Sequence, residues 1–316
     1  MFDAAKFAES KVSELSALQG EGVIAVSGGV DSTVAALLVL RAVGPRLHCV
    51  FVDTGLLRKG EAGQAMENFA ALGLSVKKVD ASQRFFSALE GVGDPEAKRK
   101  IIGEAFIRVF EEEAKASGAQ WLAQGTIAPD WLESGSGSRD NIKSHHNVGG
   151  LPEKFGLRLV EPLRDLYKDE VRLVGKALGL HEKFYNRQPF PGPGLAVRVL
   201  GEVTMEKVAL AREACAIVEE ELESAASRGE CAKPWQYYAA LLPVRSVGVQ
   251  GDKRAYGWTV VVRAVDSGDA LTATCSEIPH AVLKRISTRI CNELKQSVNR
   301  VVFDLTDKPP GTIEWE

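Results

Sequence analysis

The stretch VIAVSGGVDSTVAALLVL, residues 23–40, decides the fold of this 316-residue chain. A run of β-branched apolar residues stops at Ser27, and a helical pattern begins after Ser32. At the carboxyl edge of a parallel sheet, a turn from strand to helix exposes unpaired backbone N–H groups and the positive end of the helix dipole. Glycines in the turn let the backbone approach an anion closely. The stretch therefore predicts a buried strand, a polyphosphate-binding loop and a helix.

We assign the predicted loop to seven consecutive residues that offer backbone N–H groups, hydroxyls and one carboxylate: Ser27, Gly28, Gly29, Val30, Asp31, Ser32 and Thr33. It is not a Walker A motif, because no GK[ST] follows, and it is not GxGxxG. Asp31 beside an anion indicates a bridging cation, so we interpret it as a Mg²⁺ ligand. The alternative is an ordinary helix N-cap, where Ser, Asp and Gly are common in any protein.

Composition and charge exclude several classes of protein. The formal net charge of −3 gives no overall basic field for nucleic acid. The first fifteen residues mix acids and bases and do not resemble a signal peptide, and no apolar run is long enough to cross a bilayer. Five cysteines, odd in number and without a CxxC pair, are typical of a reducing compartment. We expect a cytoplasmic protein that binds neither nucleic acid nor membrane.

Strands alternate with helices through the first half of the chain, which predicts an α/β fold with a doubly wound parallel sheet. A Gly- and Ser-rich tract at about 126–151 follows the fourth strand, and its length favours a functional lid. A further helix is expected at 167–180. The predicted strands are 22–27, 47–53, 74–79 and 120–125, and the earlier helices are 3–18, 32–43, 60–72, 82–90 and 95–117.

The segment RQPFPGPGLAV, residues 187–197, contains three prolines and two glycines that neither a helix nor a central strand tolerates. We place a domain boundary there, with a first domain at 1–190 and a second at 191–316. The second domain is expected to be a smaller α+β unit. Its predicted elements are a helix at 204–227, β-rich segments within 235–265, a helix at 279–295 and a strand at 299–304.

The loop SGGVDS resembles the pyrophosphate (PP) loop of the N-type ATP pyrophosphatases, which split ATP between its α- and β-phosphates. Six later stretches are similar to the synthetase part of GMP synthases, and their common order makes chance similarity unlikely. They are FVDTGLLRKGE (51–61), QGTIAPDWLES (124–134), IKSHHNVGGLP (142–152), PFPGPGLAVR (189–198), LLPVRSVGVQGD (241–252) and DLTDKPPGTIEWE (304–316).

This resemblance implies an adenine nucleotide alpha hydrolase-like domain at 1–190 with its lid at about 126–151, followed by a dimerisation and substrate domain at 191–316. In this family ATP adenylates the C2 oxygen of xanthosine 5′-monophosphate (XMP), pyrophosphate leaves, and ammonia displaces AMP to give GMP. Many members of the family carry a glutaminase domain before this loop, whereas here the loop begins about twenty residues into the sequence. The chain therefore looks like the stand-alone ATP pyrophosphatase (synthetase) subunit of the two-chain type, a homodimer that uses ATP and Mg²⁺ and receives ammonia from a separate glutaminase subunit.

Four candidate catalytic residues lie together in the lid tract: Lys143, His145, His146 and Asn147. They supply donors and positive charge that can fold onto a triphosphate and offset charge developing at the α-phosphorus. They match the lid motif of the family one for one. Asp130 and Glu133 precede them and could hold Mg²⁺ or orient the nucleophile. An exposed polar loop and two surface acids are the alternatives.

Asp53 and Thr54 end the second strand, where α/β folds place ligand contacts, and we expect them near the adenosine. The resemblance implies XMP contacts for four residues outside this edge: Arg58, Gln250, Lys308 and Glu314. The sequence departs from the family at Gln188, where many members have histidine. Glutamine does not titrate near neutrality, so a proton-transfer role at this position is in doubt.

Three rival functions remain open at this stage. Another adenylating ammonia ligase such as NAD synthetase shares the loop and the ammonia step, but it does not require the KSHHN lid or the PPGTIEWE tail. A tRNA thiolase would need reactive cysteines and a basic surface, which the chain does not offer convincingly. A nucleotide-sensing module would need neither a lid nor a second domain. The pattern as a whole favours amination of XMP.

Overall fold

The computed structural model describes residues 2–129, 157–181, 184–185, 187–250, 252–268 and 270–316. The chain divides into two compact units. The first unit comprises Met1–Gly55, Gly60–Ser82 and Gly103–Arg187, and the second comprises Leu56–Lys59, Gln83–Ile102 and Gln188–Glu316. The boundary near residue 190 and the domain roles assigned from the sequence stay predictions.

A five-stranded parallel sheet forms the centre of the first unit, in the order β3-β2-β1-β4-β5. Its middle strand is β1, in which Val23 and Ile24 are completely buried. The sheet confirms the predicted parallel α/β fold. The strands are β1 (Gly22–Ala25), β2 (Leu47–Asp53), β3 (Val76–Asp80), β4 (Trp121–Ala123) and β5 (Arg158–Val160).

Helix α2 (Val30–Val43) follows β1 after a four-residue turn and is buried along most of its length. It is apolar on nearly every side, which is the pattern of a helix enclosed by other elements. The remaining helices of the first half agree with the predicted segments to within a few residues. They are α1 (Ala4–Leu15), α3 (Glu61–Ala71), α4 (Ser82–Ala88), α5 (Pro95–Ala116) and α6 (Lys168–Ala177).

The second unit contains a four-stranded sheet centred on β7 (Lys253–Asp266). β7 pairs antiparallel with β6 (Gln236–Gln250) and β8 (Thr274–Cys275), and parallel with β9 (Val298–Phe303). Helices α7 (Met205–Ser227) and α8 (His280–Glu293) pack against this sheet and each other. This arrangement confirms the expected α+β character. Within the described ranges, no helix has the length and apolarity that crossing a membrane requires.

The tail, residues 304–316, is tied to the second unit by Arg263. This arginine is 1% exposed and donates to a carboxylate oxygen of Asp304 and to three tail carbonyls, those of Thr306, Thr312 and Ile313. The Tyr238 hydroxyl donates to the Ile313 carbonyl as well. These bonds order a segment that sequence reasoning would otherwise leave mobile.

A buried ion pair also attaches the tail to the second unit. The guanidinium of Arg198 is fully buried and donates to both carboxylate oxygens of Glu314, with N···O distances of 3.1 and 2.9 Å. The rings of Phe190 and Tyr238 lie 5.0 and 4.3 Å from the guanidinium carbon. Burial lowers the pKa of Arg198, but its neighbours, Glu314 first among them, together more than offset this effect, and the pKa is raised. Arg198 is therefore charged and depends on Glu314 for compensation.

We predict that Glu314→Gln lowers the free energy of unfolding by about 3 kcal/mol, because it leaves a buried guanidinium without a counter-charge. Urea denaturation followed by circular dichroism, without nucleotides, measures the change. Glu277→Gln removes an exposed carboxylate from the same unit and should have little effect. Replacing the whole pair, in Arg198→Met/Glu314→Leu, should recover part of the loss. Equal stability of Glu314→Gln and Glu277→Gln would contradict this account.

Candidate active site

The predicted phosphate loop lies between β1 and α2, at the carboxyl edge of the parallel sheet. Gly28 has a φ of 80°, a left-handed conformation that favours glycine, and it turns the chain out of the strand. Gly29 occupies the N-cap position of α2, and no side chain caps the helix. The first N–H groups of a helix have no acceptor within the helix. They are therefore available to an anion at the positive end of the helix dipole.

Hydroxyl groups fix the shape of this loop. The Ser27 backbone N–H donates to the Ser32 hydroxyl at 3.2 Å, and the two serine hydroxyls are also 3.2 Å apart. The Thr33 hydroxyl donates to the Gly29 carbonyl at 2.8 Å. Thr33 is completely buried, whereas Ser27 is exposed to solvent. The threonine stabilises the loop from beneath, on the side away from the anion site.

Gly125, two residues beyond the end of β4, presses against the start of α2. A Cβ atom at Gly125 would lie 2.8 Å from the backbone nitrogen of Ser32 and 2.9 Å from the carbonyl carbon of Asp31. Both contacts are shorter than real Cβ atoms make, and both are with backbone. Only glycine allows this approach, so the chain after β4 holds the phosphate loop in place.

The Asp31 carboxylate has one occupied oxygen and one free oxygen. Its Oδ2 accepts from the Lys168 Nζ at 2.5 Å, and its Oδ1 is buried without a hydrogen-bond partner in the described part of the chain. A buried polar atom without a partner indicates a missing ligand or water. A carboxylate oxygen is the type of donor that Mg²⁺ prefers. The residues present therefore fit the metal implied by the sequence, and Asp31 is the side chain that would hold it.

Asp53 and Thr54 lie at the same sheet edge, at the end of β2, which pairs with β1. One oxygen of Asp53 accepts from the Gly55 N–H at 3.1 Å, and the other lies 2.9 Å from the Lys78 Nζ. Both residues are partly exposed. The structure thus brings these two candidates to the sheet edge that carries the phosphate loop, while their adenosine contact stays a prediction.

Arg58 belongs to the second unit and is largely buried there. Its Nη2 donates to the carbonyls of Gln188 and Pro189 at 3.0 Å each, and its guanidinium carbon lies 4.4 Å from the centre of the Phe190 ring. It also lines a cavity of about 200 Å³ together with Arg212 and Glu219, among others. Arg58 is therefore not a solvated side chain, and its XMP contact stays a prediction.

Gln188 has a structural function that the sequence did not reveal. Its side-chain oxygen accepts from the Tyr237 N–H at 2.8 Å, and its side-chain nitrogen donates to Glu219 at 2.9 Å. The amide therefore joins β6 to α7, using one acceptor and one donor. Neither bond requires a titrating group.

The other XMP candidates are placed as follows. Glu314 is engaged by Arg198 and accepts from the Gln236 side chain at 2.7 Å. Lys308 donates from Nζ to the Ala270 carbonyl at 2.9 Å. Gln250 is the last residue of β6.

The six lid candidates, namely Asp130, Glu133, Lys143, His145, His146 and Asn147, lie outside the described residues.

Sequence reasoning missed two residues at the phosphate loop. Gly125 had a signal, since it is a glycine within the predicted strand 120–125, and a glycine in a strand often marks a close backbone approach. Lys168 is 137 positions from Asp31 along the chain, and nothing in the sequence pattern links the two. Arg198 in the second unit was likewise not singled out, because a lone arginine in a Pro- and Gly-rich segment gives no indication of burial.

Comparison with known proteins supports one family. The family described as GMP synthase C terminal domain matches residues 222–315. The chain is 58% identical over 314 residues to a protein of Pyrococcus furiosus named as one subunit of GMP synthase [glutamine-hydrolyzing], covering 98% of this chain and 97% of that protein. It is 57% identical to the corresponding subunit of Methanopyrus kandleri over the full length of both. The chain belongs to the GMP synthase family.

A longer relative shows which part of the family the chain represents. GMP synthase [glutamine-hydrolyzing] of Clostridium botulinum is 55% identical over 314 residues, which cover 98% of this chain but only 61% of that protein. The relatives named as single subunits, by contrast, match it along nearly their whole length. The chain therefore corresponds to the synthetase subunit of GMP synthase.

We predict that Gly125→Ala weakens ATP binding by about tenfold or more, because the added methyl displaces the Asp31–Ser32 backbone and an overpacked site costs about 1–3 kcal/mol. Isothermal titration calorimetry measures the affinity. Gly63→Ala, in α3, is the matched control, since a Cβ there meets nothing within 4 Å. It should leave binding unchanged. ATP affinity of Gly125→Ala equal to that of the control would contradict the proposed fit.

Proposed function

We propose that this chain aminates XMP to GMP in two steps at one site. The C2 oxygen of XMP attacks the α-phosphorus of ATP, and the bond to the β-phosphate breaks to release pyrophosphate. Ammonia then attacks C2, and the C–O bond breaks so that AMP leaves with the former XMP oxygen. Adenylation is needed because a urea-like carbonyl oxygen is a poor leaving group, whereas AMP is a stabilised one.

The observation that carries the proposal is the uncapped start of α2 in a chain 58% identical to a GMP synthase subunit of Pyrococcus furiosus. The N–H groups in the first turn of α2 would bind the β,γ-pyrophosphate, and the hydroxyls of Ser27, Ser32 and Thr33 keep the loop in shape. Asp31 would hold Mg²⁺, which when bound offsets negative charge on the phosphate oxygens.

We assign the remaining roles from the family pattern. Lys143, His145, His146 and Asn147 would close on the triphosphate and exclude water, with Asp130 and Glu133 assisting as metal or orienting residues. Asp53 and Thr54 would contact the adenosine. XMP would be bound by Arg58, Gln250, Lys308 and Glu314. For Glu314, the contact requires sharing a carboxylate already paired with Arg198.

The enzyme would work with a glutaminase subunit, as a homodimer and in the cytoplasm. Ammonia would come from a separate glutaminase subunit, because relatives named as one subunit of a glutamine-hydrolysing synthase match along nearly their full length. The exposed side chains of Val244, Val247, Val249 and Tyr256 on the β6–β7 ribbon support a homodimer, and we place the enzyme in the cytoplasm. Sedimentation velocity tests the oligomeric state, and a monomer at micromolar concentration would contradict it.

We expect the purified chain to catalyse exchange of labelled pyrophosphate into ATP only when XMP is present, since pyrophosphate release requires the XMP oxygen as nucleophile. Exchange supported by nicotinate adenine dinucleotide would indicate an NAD synthetase. Exchange without any acceptor would contradict the mechanism.

In the same assay, Lys143→Ala should abolish exchange and leave ATP affinity within about threefold of wild type, if Lys143 acts in the transition state. Lys154→Ala, three residues beyond the lid tract, should retain exchange.

We further expect the pure chain to form GMP from ammonium and not from glutamine. Burial raises the pKa of Cys49 to about 12 and raises the pKa of the other four thiols, Cys215, Cys231, Cys275 and Cys291, which disfavours the thiolate that a glutaminase nucleophile requires. A coupled assay of GMP formation with each nitrogen source measures the preference. Turnover with glutamine by the pure chain would contradict the two-subunit proposal.

A further inference from the structure

The second unit contains a fully buried lysine that the reaction described above does not use. Lys98 is the fourth residue of α5 and is 0% exposed. Its Nζ donates to the carbonyls of Ala196 and Val199, at 3.3 and 2.7 Å, and to the carboxylate of Glu316. An ammonium has three N–H donors, so these three acceptors satisfy it completely. The side chain is therefore held in one place.

A buried cation is unfavourable at this position. Lysine side chains are rarely buried completely, and the start of a helix carries the positive end of its dipole, which disfavours a positive charge. Burial lowers the pKa of Lys98, and the Glu316 carboxylate offsets only part of this effect. An apolar pair of similar volume is often as stable as a buried ion pair. Folding stability therefore does not explain an ammonium here, and the segments that it joins point to its role.

The carboxylate that Lys98 binds is itself buried. The side chain of Glu316 is 8% exposed; its Oε1 accepts from the Gly201 N–H at 3.0 Å, and its Oε2 accepts from Lys98. Two residues earlier in the tail, Glu314 pairs with the buried guanidinium of Arg198. Two neighbouring ion pairs thus fix this part of the tail, one through Glu314 and one through Glu316.

The two carbonyls that Lys98 binds belong to the segment that carries Arg198. Ala196 and Val199 flank this arginine along the chain, and all three residues are fully buried. Lys98 therefore holds both partners of the ion pair between Arg198 and Glu314. It binds the backbone on either side of the arginine, and it binds the tail two residues beyond the carboxylate. Removing the ammonium would release both partners at once.

The other XMP candidate of the tail is held by separate contacts. The backbone of Lys308 exchanges two hydrogen bonds with Ala273, at 2.8 and 3.1 Å, and its Nζ donates to the Ala270 carbonyl. None of these bonds involves Lys98 or Glu316. The effect of Lys98 on the tail should therefore fall mainly on Glu314.

We propose that Lys98 is a positioning residue for XMP binding. Its ammonium binds Glu316 and the backbone around Arg198, and it thereby places the Glu314 carboxylate where the substrate would meet it. A carboxylate accepts hydrogen bonds, and the xanthine N–H groups and ribose hydroxyls of XMP are the donors available to it. This inference rests on the contact between Glu314 and XMP in the proposed function and adds the residue that fixes its geometry.

A purely structural role for Lys98 makes a different prediction. Lys98→Met leaves the Glu316 charge buried without its partner, so both roles predict a less stable protein. In Lys98→Met/Glu316→Gln no unpaired charge remains, and the glutamine oxygen can still accept from the Gly201 N–H, so much of the stability should return. If Lys98 only stabilises the fold, XMP affinity returns with the stability. If Lys98 positions Glu314, XMP affinity stays low because one cation no longer joins the two carbonyls to the tail.

The test measures affinity for XMP alone and for ATP alone by calorimetric titration, and stability by urea denaturation. It compares both Lys98 variants with Lys100→Met, which replaces an exposed lysine of the same helix. Both Lys98 variants should bind XMP about tenfold more weakly or worse, the effect of one misplaced charge-assisted hydrogen bond. Their ATP affinity should stay within about threefold of wild type. Lys100→Met should match wild type in every measurement.

Hydrogen exchange follows the tail directly and does not depend on any ligand. A peptide covering residues 304–316 should exchange faster in both Lys98 variants than in wild type, because the tail has lost its attachment through Glu316. The same peptide of Lys100→Met should exchange at the wild-type rate. Wild-type exchange of this peptide in Lys98→Met would contradict the proposed hold on the tail.

Three binding results would overturn the inference. They are XMP affinity of Lys98→Met equal to wild type, a parallel loss of ATP affinity, and a double variant in which stability and XMP affinity return together. The proposed function fails in a different way: a wild-type chain that binds ATP but not XMP would contradict the reaction itself. Unchanged XMP affinity in Lys98→Met, with XMP bound by wild type, would contradict the positioning role alone.

Discussion

The active site depends on one constraint: α2 begins four residues after the buried strand β1, without a side-chain cap. The N–H groups at its start must be satisfied by water or a ligand, and the helix dipole makes an anion the favoured partner. Gly28 provides the turn, Thr33 holds the loop from below, and Gly125 allows the neighbouring chain to approach the backbone. At the start of α2, the Asp31 carboxylate is paired with the Lys168 ammonium.

In the second unit, two buried arginine side chains bind the C-terminal tail. Arg198 and Arg263 are buried, and their hydrogen bonds are made mostly to the tail. A buried guanidinium is costly unless its donors are satisfied, so the tail carboxylate and carbonyls are part of the core of this unit. Glu314 thus already has a structural function, and binding of XMP by this residue would add to that function.

The sequence predicted those parts of the molecule that depend on local pattern. Apolar periodicity located most helices and strands, and the Gly- and Ser-rich turn located the phosphate loop. The three-residue strand β5 was missed because it is too short to show a period. Contacts between distant positions, such as Lys168 with Asp31, or the grouping of Leu56–Lys59 with the second unit, leave no local signal. Family resemblance supplied the chemistry, which the residues alone left open among several adenylating enzymes.

The most direct test of the account follows one oxygen atom. XMP labelled with ¹⁸O at C2 is incubated with the chain, ATP, Mg²⁺ and ammonium, and the products are analysed by ³¹P NMR. If the loop binds the β,γ-pyrophosphate and presents the α-phosphorus to XMP, the label appears in AMP, and the pyrophosphate is unlabelled. Formation of ADP and orthophosphate, or label in any phosphate other than that of AMP, would contradict the account.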